Sequence, residues 1–65
     1  MSSIAKNLKR LRKAKKLSQK RLARLADVAN NTIIKIEAEK NKNPTLDTLT
    51  KISRALNVSV DELIK

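Results

Sequence analysis

Two adjacent amides, Asn30 and Asn31, followed one helical turn later by Lys35, concentrate hydrogen-bonding groups on a short stretch of chain. An asparagine amide holds a donor and an acceptor side by side, the pattern that pairs with adenine N6 and N7. A lysine ammonium donates to guanine O6 and N7, and the apolar side chains of Ala29 and Ile34 suit a thymine methyl. Each residue also has a plainer use. Either asparagine can cap a helix and spend its amide on its own backbone, and Ile34 can instead be partly buried.

Side chains of this kind reach a base edge only if an element presents them. Residues 17–37 read LSQKRLARLADVANNTIIKIE, two short helical patterns separated by a four-residue break at Asp27–Asn30. The first pattern keeps Leu22, Ala23 and Ala26 on one face, and the second keeps Ile33, Ile36 and Glu37 together. Helices joined by so short a turn cannot lie antiparallel at full contact, so they cross steeply, as in a helix-turn-helix. In a chain of formal charge +10, that unit points to double-stranded DNA.

Composition removes several other classes. Sixty-five residues make a single domain, 1–65, near the lower limit of independent folding, where roughly 60% of the unfolded chain's surface is buried. The chain has no cysteine and no histidine. Disulfides are therefore excluded, the usual zinc ligands are missing, and neither a metal nor another cofactor is expected. The remaining acids and hydroxyls show no pairing with a base that would make an enzyme. The longest apolar runs, such as Ile33-Ile34, are two residues long, so no membrane span is expected. Met-Ser-Ser-Ile-Ala lacks the apolar core of a secretion signal, which makes a cytoplasmic location the default. A cationic membrane-surface peptide is disfavoured because the apolar residues fall into separate short stripes with no aromatic anchor. RNA binding lacks aromatic stacking residues.

Ten cations, from Lys6 to Arg24, precede the first acid, Asp27. Such a block can be disordered by self-repulsion, but Ile4, Leu8 and Leu11 recur through it at helical spacing. The expected fold is all-α with five helices. The first runs from about Ser3 to Lys15, capped by Ser2 or Ser3. The second starts after Ser18 and ends near Ala26, and the third runs from about Asn30, as cap, to Glu39. A loop through Pro44 follows, because proline bars a continuous helix. The fourth begins after Thr45 and turns Leu46, Leu49, Ile52, Ala55 and Leu56 inward, with Asn57 suited to a left-handed helix end. The fifth is short, opened by the capping box Ser59-Val60-Asp61-Glu62, with Leu63 and Val60 inward.

These residues resemble the Cro and lambda-repressor type of helix-turn-helix domain, also called the XRE family. The likeness spans about residues 4–64. It rests on Leu17-Ser18-Gln19, Leu22-Ala23, Val28, Ile33, Ile36-Glu37, Asn43-Pro44, Leu49, Ala55-Leu56 and Val58. Departures are the Asp27, Ala38-Glu39-Lys40 and Asn57 positions, where the family usually carries glycine. A chain without glycine, histidine or aromatic residues is unusual for a natural repressor, and a designed sequence on a repressor-like scaffold fits it equally.

The resemblance implies a five-helix, lambda-repressor-like fold and sequence-specific binding of double-stranded DNA, in a bacterial or phage-like cytoplasm. It places base reading at Ala29, Asn30, Asn31, Ile34 and Lys35, on a recognition helix at about 30–39. Phosphate contacts fall to Gln19, Thr32 and the loop Lys40, Asn41, Lys42 and Asn43. Lys9, Arg10 and Lys13 are weaker candidates for the same role. Gln19, Thr32 and the loop residues can equally be ordinary surface side chains. Arg12 and Glu37 match a partly buried ion pair that joins helix one to helix three and can turn the arginine toward a phosphate. An unpaired carboxylate beside Ile33 and Ile36 would be costly. Relatives often bind as dimers on two half-sites; a monomer or a weak homodimer on DNA fits this chain. The alternative is an antitoxin-type interaction module that also binds its operator, for which an exposed apolar patch using Leu25 or Ile34 would speak.

Overall fold

The computed structural model describes residues 3–65 as five helices: α1 Ile4–Ala14, α2 Gln19–Ala26, α3 Asn30–Glu37, α4 Leu46–Leu56 and α5 Val60–Ile64. Four of them begin on a hydroxyl. The side-chain oxygens of Ser3, Ser18, Thr45 and Ser59 accept from the backbone N–H groups of Lys6, Arg21, Thr48 and Glu62, satisfying donors that have no partner inside the helix. Ser2, the other cap considered for α1, lies outside the described residues.

Helix ends follow one device, repeated four times. Lys16, Asp27, Glu39 and Asn57 take left-handed backbone conformations, with φ of 58°, 58°, 61° and 57°. The residue after each one donates its N–H to a carbonyl five positions back: Leu17 to Arg12, Val28 to Ala23, Lys40 to Lys35 and Val58 to Ser53. This is the Schellman closure, built here without glycine. In three of the four, that following residue is apolar, and Leu17, Val28 and Val58 pack against the core. After α3 it is the exposed Lys40.

Four expectations need correction. Ala29, not Asn30, is the N-cap of α3, with no side-chain cap hydrogen bond. Closing α2 uses Asp27 and Val28, so one extended residue links it to a helix that already includes Asn30, and the turn is three residues long. The third helix stops at Glu37, because Glu39 is left-handed and cannot continue it. Leu46 is 70% exposed: side chains lean toward a helix's N-terminus, so the first residue of α4 overhangs the packed layer, and the inward stripe begins at Leu49.

All five helices feed one core of Leu8, Leu22, Ala23, Ala26, Ile33, Ile36, Leu49, Ile52, Leu56 and Leu63. α2 packs on α3 and α4, α1 on α3 and α5, and α4 on α5. α3 is thus held by its packing on α1 and α2. A side-chain clamp closes the ring of helices: the Asn7 amide donates to the carbonyls of Leu63, at 2.8 Å, and Lys65, at 2.6 Å.

Candidate nucleic-acid interface

The buried side of α3 consists of Ile33, Ile36 and Glu37. At about 100° per residue, the opposite side carries two rows. Asn30, Ile34 and Ala38 form one, and Asn31 and Lys35 form the other; all five are exposed. Ala29 is exposed at the helix start, while Thr32 is half-buried on the flank. Ile34 retains 37% of its surface, and neither asparagine is consumed as a cap. The sequence-assigned reading residues thus share one open face.

Behind this face, two other helices are tied to Glu37. Arg12 Nε of α1 donates to Glu37 Oε2 at 2.6 Å, and Arg12 Nη2 donates to Oε1 at 3.0 Å. Arg12 Nη1 donates to the Leu17 carbonyl at 2.7 Å, in the turn before α2. Gln19 Nε2, at the start of α2, donates to Glu37 Oε1 at 3.0 Å. Burial alone would push the Glu37 carboxyl up. Hydrogen bonds from Arg12 and Gln19, with the charges of Arg12 and Lys9, outweigh it and hold the group below its ordinary value. Arg12 is raised in turn, chiefly by its hydrogen bond to Glu37, against the opposing effect of burial. Both directions describe an ion pair that stays charged.

The network fixes what Arg12 and Gln19 can offer a ligand. Arg12 is 9% exposed and spends three of its five N–H groups internally, so its main effect is to position α3. Gln19 is half-buried; its amide oxygen and second N–H take no part in the bond to Glu37. Sequence spacing gives no sign of the Gln19–Glu37 bond, because eighteen residues separate the two. The loop after α3 exposes Lys40, Lys42 and Asn43. Asn41 is half-buried, and its Oδ1 accepts from the Asn43 N–H at 3.1 Å, making a local turn. On α1, Lys9, Arg10 and Lys13 are exposed, and the charge of Lys9 adds to those that keep Glu37 ionised.

A model of the helix-turn-helix family matches residues 8–63 of this architecture. The chain belongs to that family. Among helix-turn-helix relatives, an uncharacterised transcriptional regulator of Rickettsia prowazekii is 36% identical over 56 residues, which cover 82% of this chain and 61% of that protein. The chain therefore spans less than two thirds of that relative's length. SinR of Bacillus subtilis, a master regulator for biofilm formation solved in complex with DNA, superposes with a TM-score of 0.89 at 38% identity. That match covers 92% of this chain and 95% of the SinR chain. The P22 c2 repressor, solved with a synthetic operator, gives 0.89 at 28% identity, covering 100% of this chain and 97% of that one. The five-helix fold is that of helix-turn-helix repressor domains.

Proposed function

We propose that this helix-turn-helix chain binds double-stranded DNA sequence-specifically, as the DNA-reading module of a repressor-like transcription regulator. The observation that carries the reading is the open face of α3. Its polar side chains are free, and its inner side is locked to α1 and α2 through Glu37. An α-helix fits the major groove, and residues near its N-terminus meet base edges. Asn30 and Asn31 read adenine, Lys35 reads guanine, and Ala29 and Ile34 supply apolar contact. Gln19, Thr32 and the loop Lys40–Asn43 hold phosphates, with Arg12 behind them and Lys9, Arg10 and Lys13 adding long-range attraction. The SinR and P22 complexes with DNA support this use of the fold.

No helix among the described residues is long and apolar enough to cross a membrane; the reading places the protein in the cytoplasm, with the DNA. It binds one half-site as a monomer, or two as a dimer formed on DNA. Selection from random duplexes tests both points, since recovered sites show a consensus and its symmetry. Scrambled duplexes that compete equally well would end the proposal. Asn31→Ala should weaken the selected site by about 1–3 kcal/mol and relax preference at one base pair; a uniform loss on every sequence would move Asn31 to the phosphates. Leu25, 52% exposed, favours a second reading as an antitoxin-type module that also holds a protein partner. Co-purification of that partner from cells, lost on Leu25→Lys, checks it.

A further inference from the structure

Ile34 is the one large apolar side chain exposed on α3 among the described residues. Nothing in the fold uses that exposure. The core is complete with Ile33 and Ile36, and isoleucine has no special helix propensity to justify a surface position. It stands between Asn30 and Ala38 in one row, beside the polar row of Asn31 and Lys35. Past Asn30, the side chains of that row, Ile34 and Ala38, carry no donor or acceptor, so they cannot tell thymine O4 from cytosine N4 by a hydrogen bond. They can sense whether a methyl group is there to cover. In the major groove, thymine shows that methyl at C5; 5-methylcytosine carries the same group at the same position while pairing with guanine as cytosine does.

We infer that Ile34 makes the domain a reader of the pyrimidine C5-methyl group, so that methylation of a cytosine beneath it strengthens binding. The inference rests on the reading above that α3 enters the major groove. One buried methyl corresponds to about a fourfold change in affinity.

The test starts from the duplex recovered by selection. Each thymine, on either strand, is replaced singly by deoxyuridine, which removes only the methyl. One or two positions should lose about fourfold in affinity, with the others unchanged. At a sensitive position, 5-methyldeoxycytidine should bind about fourfold tighter than deoxycytidine. Ile34→Ala, with its melting temperature measured to confirm that it is folded at the assay temperature, should abolish both differences. The thymine arm separates the intrinsic target from the modified base, and it needs no variant. Deoxyuridine that is silent at every position, or full methyl sensitivity in Ile34→Ala, would overturn the inference while leaving DNA binding intact. If no duplex is recovered at all, the groove reading has failed, and this inference with it.

Discussion

Glu37 is the residue on which the interface turns, because one carboxylate receives hydrogen bonds from two other helices. Its folded-state pKa is lowered, so the unfolded chain binds the proton more readily. The pair's contribution is therefore fully present above the ordinary glutamate value, about 4.3. It is lost as pH falls from there through the lower folded value. Melting temperature should drop across that acid range, and Glu37→Gln should flatten that part of the profile. Removing the partner is harsher. Arg12→Ala leaves a buried charge unpaired, which costs about 3–5 kcal/mol, against about 3–10 kcal/mol of total stability for 65 residues. Arg12→Met combined with Glu37→Leu should recover most of the loss in denaturant titrations, since no charge is then stranded; an unchanged midpoint for Arg12→Ala alone would show that the pair does not hold the fold. At this scale the sequence is partly legible. Inward Ile33 and Ile36 beside Glu37 reveal that an acid needs a partner, whereas Gln19 joins it only through three-dimensional approach.

Among the helices, four of the five starts are written locally as Ser or Thr, and the inward stripes follow from spacing. The ends are harder to read without glycine. Asp27 and Asn57 tolerate positive φ, but Lys16 and Glu39 have no side-chain feature that favours it. That is why a reading by pattern carries α3 two residues too far. A left-handed non-glycine residue costs roughly 1–2 kcal/mol, partly offset by the greater entropy glycine loses on folding. Glu39→Gly should accordingly stabilise the chain by about 0.5–1 kcal/mol, and by a few degrees in melting temperature. Lys16→Gly should do the same. A loss of stability in both would mean that their side chains make contacts worth more than the backbone strain. At the start of α3 the cap position is Ala29, which has no side-chain acceptor, so the helix begins with its asparagines uncommitted.

Over the whole molecule, charge sets two responses to salt that run in opposite directions. Sixteen cations face six acids, and the described residues form only two ion pairs, Arg12–Glu37 and the exposed Lys51–Asp47 at 3.5 Å. The body measures 27 × 21 × 20 Å, a few screening lengths across at about 0.1 M salt, where each length is about 10 Å. Neighbouring cations on α1 and α2 therefore repel one another in the free protein at low ionic strength. Sodium chloride should raise its melting temperature by screening that repulsion. The same salt should weaken DNA binding, because phosphates that replace the missing acids release counterions. Four to six such contacts correspond to a log–log slope of about −4 to −5, or roughly 250- to 1,000-fold in affinity between 50 and 200 mM. A shallow slope would reassign most of the basic residues to solvent, and a melting temperature that falls with salt would show that the cations are already compensated within the fold. Both trends together would identify the duplex as the counter-charge that the folded chain lacks.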